Sequence, residues 1–443
     1  MLKKRILLAI FILMSLLPLA GMAVVGPSGA AANEILTEPP KLVTKDGFNE
    51  HILNDVCDYL ADHFAWRQEL VTADAAVEAA LLRESACEDV VLGSDGWLYY
   101  AETLHDYQGT SLMSERETYA AAHNLDLIQE YCEDRGMAFL FTVAPNKNTL
   151  YPEHMPYSGS NADGNLSHLA DALAAQGVAC LDLRAVFKAQ DAVLYHKLDS
   201  HWNNLGAALA HDAIMDALGK DYETAYVPEG FSSAQDHRGD LYDMLYPKGT
   251  EFDTQYYPAE WRFDYARPIR SAEDQTILTE SDAGGSLMMF RDSFGNALHP
   301  FLAQSFGSAT FSRANPYDLS LCGDADTLLI EIVERNLPWL CERAPILPAP
   351  EREMELPAPS AVDFTAASEG EKITGTLSET PDADSPIWLC AEGKIYEACL
   401  VGEAGFSACL PEAAENIQVI FRRNGTLICS ESQKIIQKEK ENK

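Results

Sequence analysis

Apolar and polar positions divide the 443-residue chain into stretches of different period. Behind Lys3, Lys4 and Arg5, the run from Ile6 to Val25 is almost unbroken in its hydrophobicity. Farther on, apolar residues recur at helical spacing in "SERETYAAAHNLDLIQEYCEDRG", "LSHLADALAAQG", "NNLGAALAHDAIMDALG" and "GNALHPFLAQSFG". Between these lie short continuous apolar runs, "MAFLFTVAP", "VACLDL", "GGSLMMF" and "DTLLIEIV", of the kind that fill a sheet covered on both faces. Buried strands alternating with helices predict an α/β fold with a mostly parallel sheet flanked by helices. Earlier in the chain, "ILNDVCDYLADHFAWRQELVTADAAVEAALL" reads as one or two helices. "DVVLGSDGWLYY" reads as two short strands around an Asp-Gly turn. Residues 222–280 have weak periodicity and are expected to be loop-rich. The last part of the chain alternates short strands with turns, including an Asn424-Gly425 hairpin signal, and predicts a small β-sandwich.

These patterns suggest five segments. Residues 1–33 form a signal peptide or membrane anchor, and 34–344 an α/β domain. A proline-rich linker follows over 345–361, a β-sandwich accessory domain over 362–433 and a charged tail over 434–443. The basic start, the apolar run and an A-x-A pattern at Ala30–Ala32 suit a signal peptidase. The run is also long enough to span a bilayer, so cleaved signal and retained anchor both stay open. Either way the chain is expected outside the cytoplasm, secreted or held at the cytoplasmic membrane. The absence of a cysteine near this segment excludes a lipoprotein anchor.

Composition narrows the partners. A net charge of −36 repels nucleic acid, so no nucleic-acid partner is expected. Ten cysteines, an even number, permit disulfides in an exported chain. One or two bridges are expected among Cys390, Cys399, Cys409 and Cys429.

Two stretches carry chemistry. In "SLMMFRDSFGNALHPF" a serine, Ser293, stands between a strand and a helix. Open α/β sheets place ligands in that crevice, and the helix N-terminus favours an oxyanion there. Ser293 reads either as a nucleophile or as a plain helix cap. In "LDSHWNNLGA", Asp199 and His201 stand two apart ahead of a helix expected to begin at Asn203 or Asn204. In an extended approach their side chains share a face, which lets the carboxylate orient the imidazole. A capping aspartate beside a half-buried histidine is the alternative. A metal site drawing on His196, Asp199, His201 and His211 lacks the His-x-x-x-His register and a completing ligand, so no metal or other cofactor is expected.

The order of motifs resembles the AlgX/AlgJ-like SGNH-hydrolase family and the related bacterial DHHW proteins. "HFAWRQEL", "VVLGSDGWLYY", "VAPNKNTLYPEHMP", "DSHWNNLGA", "FRDSFG" and "EIVERNL" match that family's motifs in sequence order over about residues 45–340. The resemblance implies an SGNH-like α/β fold in permuted motif order and a triad of Ser293, His201 and Asp199. It implies an O-acetyltransferase or acetylesterase acting on envelope or secreted polysaccharide, with the acetyl donor supplied by a membrane-bound O-acyltransferase. Arg291 departs from the glycine that ordinary SGNH enzymes carry before Asp-Ser. The Ser293 N–H is the one oxyanion donor readily named, with Asn315 or Asn146 as further candidates. Lys147, Arg291, Arg313 and Arg335 either line a positive substrate pocket or pair with the surplus carboxylates. Trp202 either stacks on sugar or belongs to the core, while Trp97 and Tyr151 read as packing. A non-catalytic envelope protein that keeps the fold and a sugar-binding cleft is the competing reading.

Overall fold

The computed structural model describes residues 2–30, 34–45, 47–160 and 164–437. Part of the Ala30–Ala32 cleavage pattern and most of the charged tail lie outside the described residues. The apolar run forms helix α1 (Leu2–Val25). With a mean hydropathy of 2.5, it is the one helix among the described residues long and apolar enough to cross a membrane.

The α/β part is built on a seven-stranded sheet. Helix α2 (Glu115–Glu133) opens on a capping box, Ser114 accepting from the Glu117 N–H while Glu117 accepts from the Ser114 N–H. It leads into β1 (Ala138–Ala144), α3 (Asn165–Gln176), β2 (Cys180–Asp182) and α4 (Asn204–Ala217). Next come a hairpin of β3 (Ser232–His237) and β4 (Asp253–Tyr257), then β5 (Asp264–Tyr265), β6 (Thr276–Glu280) and β7 (Ser286–Phe290). Helix α5 (Gly295–Ala303), β8 (Ser308–Ser312) and β9 (Thr327–Val333) complete it.

The strand order is β2-β1-β9-β7-β8-β6-β5. The first five strands run parallel, and β6 and β5 add an antiparallel edge. Side chains alternate between two cores, as strand geometry requires. Phe139, Phe141, Met288 and Phe290 pack with α2 and α3, while Leu140, Leu287 and Met289 pack with α4 and α5. The stretch expected to be loop-rich in fact holds the β3–β4 hairpin and β6. Their mixed polar sequences form strands because neighbours supply the hydrogen bonds, a tertiary effect that local periodicity does not carry.

The C-terminal region is a many-stranded curled sheet. It includes β10 (Phe364–Glu369), β11 (Lys372–Leu377), β12 (Ile387–Ala391), β13 (Lys394–Val401), β14 (Gly405–Cys409), β15 (Asn416–Arg423) and β16 (Thr426–Ser430). Strand β13 turns the sheet, pairing with β12 up to Ala398 and with β14 from Cys399 on. Asn424 and Gly425 both take positive φ, 51° and 72°, as the tight β15–β16 turn demands.

The expected disulfides are not formed, and all ten cysteines are free. No two of the four expected to pair stand directly opposite each other in the sheet: Cys390 faces Ile395 and Gln418, Cys399 faces Ser407, Cys409 faces Lys372 and Cys429 faces Ile420. The curled sheet shares one continuous apolar core with α2 and β1. Asn124 of α2 donates to the carbonyls of Leu340 and Leu400 (both 2.9 Å) and accepts from the Leu400 N–H (2.8 Å).

Candidate active site

Ser293 sits between the end of β7 and the start of α5. Its neighbour Asp292 braces the turn. One carboxylate oxygen accepts from the Phe294 N–H (2.9 Å). The other accepts from the Val333 N–H (2.8 Å) and the Asn336 amide (3.1 Å), tying the turn to the end of β9. Gly295 lets the chain pass close to Arg291, whose Cδ would lie 2.6 Å from a Cβ at that position. The Ser293 N–H has no acceptor among the described residues and lies next to the helix N-terminus.

Asp199 and His201 lie on a narrow loop closed by a β-bridge between Tyr195 and Trp202. The segment is bent rather than extended, which corrects the shared-face argument. Asp199 Oδ1 reaches back to the His201 N–H (2.9 Å) as well as to Nδ1 (2.7 Å), an Asx-type turn that sets the spacing of two. Asn203 caps α4, its side chain accepting from the N–H groups of Leu205 (3.0 Å) and Gly206 (3.1 Å).

The two loops meet at His201 Nε2 and Ser293 Oγ, 2.8 Å apart. An ionised aspartate only accepts, so Nδ1 carries the proton and Nε2 is left to accept from the serine hydroxyl. Burial opposes charge on His201, but the Asp199 carboxylate outweighs it and holds the imidazole above its ordinary value. Burial likewise opposes charge on Asp199, yet His201 and His237 keep its carboxyl well below the usual range. The chain from Asp199 to Ser293 can therefore activate a hydroxyl and store the proton it releases.

The other expected site residues fall in different places. Lys147 is not in the substrate pocket. It is 4% exposed, and its Nζ donates to the backbone carbonyls of His196 (2.9 Å), Lys197 (3.0 Å) and Asp199 (2.7 Å). Burial pushes its pKa down to about 7, while the three acceptors match the three N–H groups of an ammonium. Trp202, at 1% exposure, cannot stack on sugar. It packs on Phe187 and Phe294, and its indole donates to the Phe294 carbonyl (3.0 Å). Arg291 is buried and gives its guanidinium to the Ala272 carbonyl (2.7 Å) and the Asn296 side chain (2.6 Å), a wall rather than a free donor. Asn146 is likewise buried, its N–H on Glu334 (2.7 Å).

Arg291, Arg335, Asn315, Arg313 and Arg343 do line a cavity of about 450 Å³ with Ser293. The Arg335 guanidinium stands 5.3 Å over the Tyr100 ring and 5.6 Å over the Phe294 ring. Arg313 pairs with Glu273. Of the four residues weighed as metal ligands, His211 lies elsewhere, on Asp212 and Ser305. Asp199, His201 and Asp240 can bring ligand atoms within 4.8 Å of one another, but both His201 nitrogens are already hydrogen-bonded.

A family model described as the SGNH hydrolase-like domain of acetyltransferase AlgX matches residues 90–315, just over half of the chain. The chain belongs to this SGNH hydrolase-like family. The matched span contains Asp199, His201 and Ser293. The probable alginate O-acetylase AlgJ of Pseudomonas syringae pv. tomato is 29% identical over 185 residues, 39% of this chain and 44% of that protein. The chain therefore spans less than half the length of this relative. Among solved structures, Bacillus cereus PatB1 with a sulfonyl adduct shares 19% identity at a TM-score of 0.45, covering 56% of this chain and 95% of that one. The O-acetyltransferase domain of Pseudomonas putida AlgJ shares 16% at 0.37, covering 56% and 92%.

Within this family member, four residues around the loop escaped sequence reasoning. Asp240 accepts from the Ser200 N–H (2.8 Å) and hydroxyl (2.6 Å), and its own N–H donates to Asp199 Oδ2 (3.1 Å). His237 donates to the same oxygen (2.8 Å). Asp292 braces the Ser293 turn, and Glu334 braces the Asn146–Thr149 segment farther back, accepting from the Asn146 N–H and the Thr149 hydroxyl (both 2.7 Å). The available signal was Gly239, where a Cβ would sit 2.1 Å from the Leu198 carbonyl oxygen. A glycine ahead of an aspartate in "HRGDLYDML" marks a close backbone approach and a helix start.

Proposed function

We propose that the protein is an SGNH-like O-acetyltransferase, with acetylesterase activity when water replaces the acceptor, and that Ser293 is its nucleophile. The observation that carries this reading is the unbroken hydrogen-bond chain Asp199–His201–Ser293, on a strand-to-helix turn inside an acetyltransferase family domain. The Ser293 hydroxyl attacks the carbonyl of an acetyl ester and passes its proton to His201 Nε2. The Ser293 N–H, at the start of α5, faces the developing oxyanion. The tetrahedral intermediate expels the donor alcohol, which takes the proton from His201 and leaves an acetyl ester on Ser293. A sugar hydroxyl then gives its proton to His201 and attacks that ester, so acetyl moves to the acceptor and Ser293 is restored. Asp199 holds the Nδ1–H tautomer and stabilises the imidazolium throughout.

The name of the AlgJ relative supports a polysaccharide acceptor, and Arg313, Arg335 and Asn315 offer donors to its oxygens or to the acetyl carbonyl. Helix α1 supports an exported or membrane-held enzyme, close to a membrane-bound acyl-transfer partner that supplies acetyl. We read residues 34–344 as the catalytic unit and 362–433 as an accessory unit joined through 345–361. The test is acetyl release from a chromogenic acetyl ester, with mass spectrometry of the trapped acetyl-enzyme. Acetyl found on a residue other than Ser293 would overturn the assignment.

A further inference from the structure

Asp199 serves two histidines. Its Oδ1 is taken by His201, and its Oδ2 accepts from His237 Nε2 at 2.8 Å and from the Asp240 N–H at 3.1 Å. His237 is the last residue of β3, just after an irregularity in the register with β4 between Gln235 and His237. That irregularity turns the side chain in toward the loop. The ring is held on its flat side as well, stacked on His196 with centroids 3.7 Å apart and planes 7° off parallel. His196 is 1% exposed, with Nε2 3.3 Å from Gln255 of β4. Burial and the neighbouring His237 push it down to about 4, so it stays neutral at working pH. His237 keeps 28% of its side chain exposed and is thus the member of the stacked pair able to take up a proton from solvent.

We propose that His237 is a positioning residue of the acetyl-transfer reaction, which locks the rotation of the Asp199 carboxylate and divides its charge between two imidazoles. The proposal rests on the Ser293–His201–Asp199 reading. Without His237, Oδ2 keeps only the Asp240 N–H at 3.1 Å, a weaker hold on the carboxylate's soft terminal torsion. Donors on both oxygens fix the plane that His201 must share. The second consequence is electrostatic. When His237 is protonated, Asp199 is already paired, and its pull on a proton at His201 is weaker.

Every charged group facing His237 enters this balance. They are Asp199 on the loop, Asp240 at the start of the helix Asp240–Leu245, and Asp253 on β4. Lys147 also faces the loop from beneath, through its bond to the Asp199 carbonyl. Only His237 and His201 bond the Asp199 carboxylate through side chains that titrate near neutrality.

The experiment compares the full chain in detergent with His237→Leu and His237→Gln, measuring acetyl-ester turnover across pH. His237→Leu should lower kcat about 10-fold, with KM little changed, and move the acidic limb of the profile up by about half a pH unit or more, because Asp199 then acts on His201 alone. His237→Gln, whose amide can still donate to Oδ2, should recover most of kcat while the limb stays displaced. Limbs that coincide with wild type in both variants, or a glutamine that recovers nothing, would overturn the proposal. Ser293→Ala in the same assay separates the two failures. Activity surviving in Ser293→Ala sinks the underlying reading. Loss there, with His237→Leu indistinguishable from wild type, sinks the role of His237 alone.

Discussion

Two Ser–His–Asp hydrogen-bond chains run through this fold, and by distance they are nearly the same. From Ser293 to His201 to Asp199 the links are 2.8 and 2.7 Å, and from Ser305 to His211 to Asp212 they are 2.7 and 2.8 Å. Their surroundings differ in every respect that acyl transfer needs. Ser293 stands at the N-terminal end of α5, and its N–H has no acceptor among the described residues. Ser305 follows the C-terminal end of the same helix, where the dipole repels an oxyanion, and its N–H is spent on the Leu302 carbonyl (2.9 Å). The Ser293 cavity brings Arg291, Arg313, Arg335 and Arg343 together with Glu102, Asp292 and Glu331. Ser305 opens instead on a cavity of about 880 Å³ where Asp221, Glu223, Glu260, Asp264, Glu280 and Asp282 face one cation, Arg262. Asp212 also accepts from the N–H groups of Ala225 (2.8 Å) and Tyr226 (2.9 Å), which makes that chain a clamp on a surface loop. Triad distances alone do not make a catalyst. The electrostatic setting of the serine separates the two chains.

The sharpest way to break this comparison is to remove each serine. Ser293→Ala and His201→Ala should each cut acetyl release at least ~1,000-fold, on the scale seen when a triad member is lost. Ser305→Ala should stay within about twofold of wild type. Initial rates on an acetyl ester decide it, and a large loss in Ser305→Ala would reverse the assignment.

Lys147→Met should come next in size. It leaves the buried His196 and Asp199 carbonyls without a donor, while the Lys197 carbonyl keeps the Leu98 N–H (2.9 Å), and it frees the Asp199 loop. A stability loss of about 3–4 kcal/mol is expected, read by urea unfolding, together with a fall in kcat of the folded fraction. Unchanged stability would mean that the loop is held by Asp240 and the Tyr195–Trp202 bridge instead. His211→Leu should cost about 2 kcal/mol, from the lost bonds to Asp212 and Ser305, with kcat of the folded protein unaltered. A matching loss of kcat would erase the distinction between clamp and catalyst.

The pH profile sharpens the comparison further. In the proposed mechanism turnover needs neutral His201, and Asp199 holds its imidazole above the ordinary 6.5. Activity should therefore rise with pH through a midpoint above 6.5, and a midpoint at or below that value contradicts the electrostatics described here.

These contrasts also show what the sequence could carry. The parallel sheet was legible because its inner strands are buried on both faces and read as continuous apolar runs. Asp199, His201 and Ser293 were legible because each lies beside a helix start with its own local signature. The hairpin that delivers His237 was not, because β3 and β4 are polar and half-exposed and gain strand form only from each other. Lys147 misled for a related reason. A cation beside motif loops in an acidic chain looks like a substrate ligand, whereas Lys147 uses its donors on backbone carbonyls. Composition cannot tell a carbonyl cradle from an anion pocket.

Trp202 offers the smallest effect and the finest distinction. It follows His201, Phe294 follows Ser293, and the indole hydrogen bond to the Phe294 carbonyl ties the His201 loop directly to the Ser293 turn. Trp202→Phe keeps an aromatic ring against Phe187 but withdraws the donor from a buried carbonyl, which should cost about 1 kcal/mol of stability. Its kinetic signature matters more than its size. If the bond aligns Ser293 with His201, kcat falls severalfold while KM is unchanged, because an interaction that matters only in the reacting geometry has been lost. If the indole instead touched the acceptor sugar, KM for a polysaccharide acceptor would rise with kcat preserved. The 1% exposure of Trp202 predicts the first pattern, and the ratio of the two constants measured on one variant decides between them.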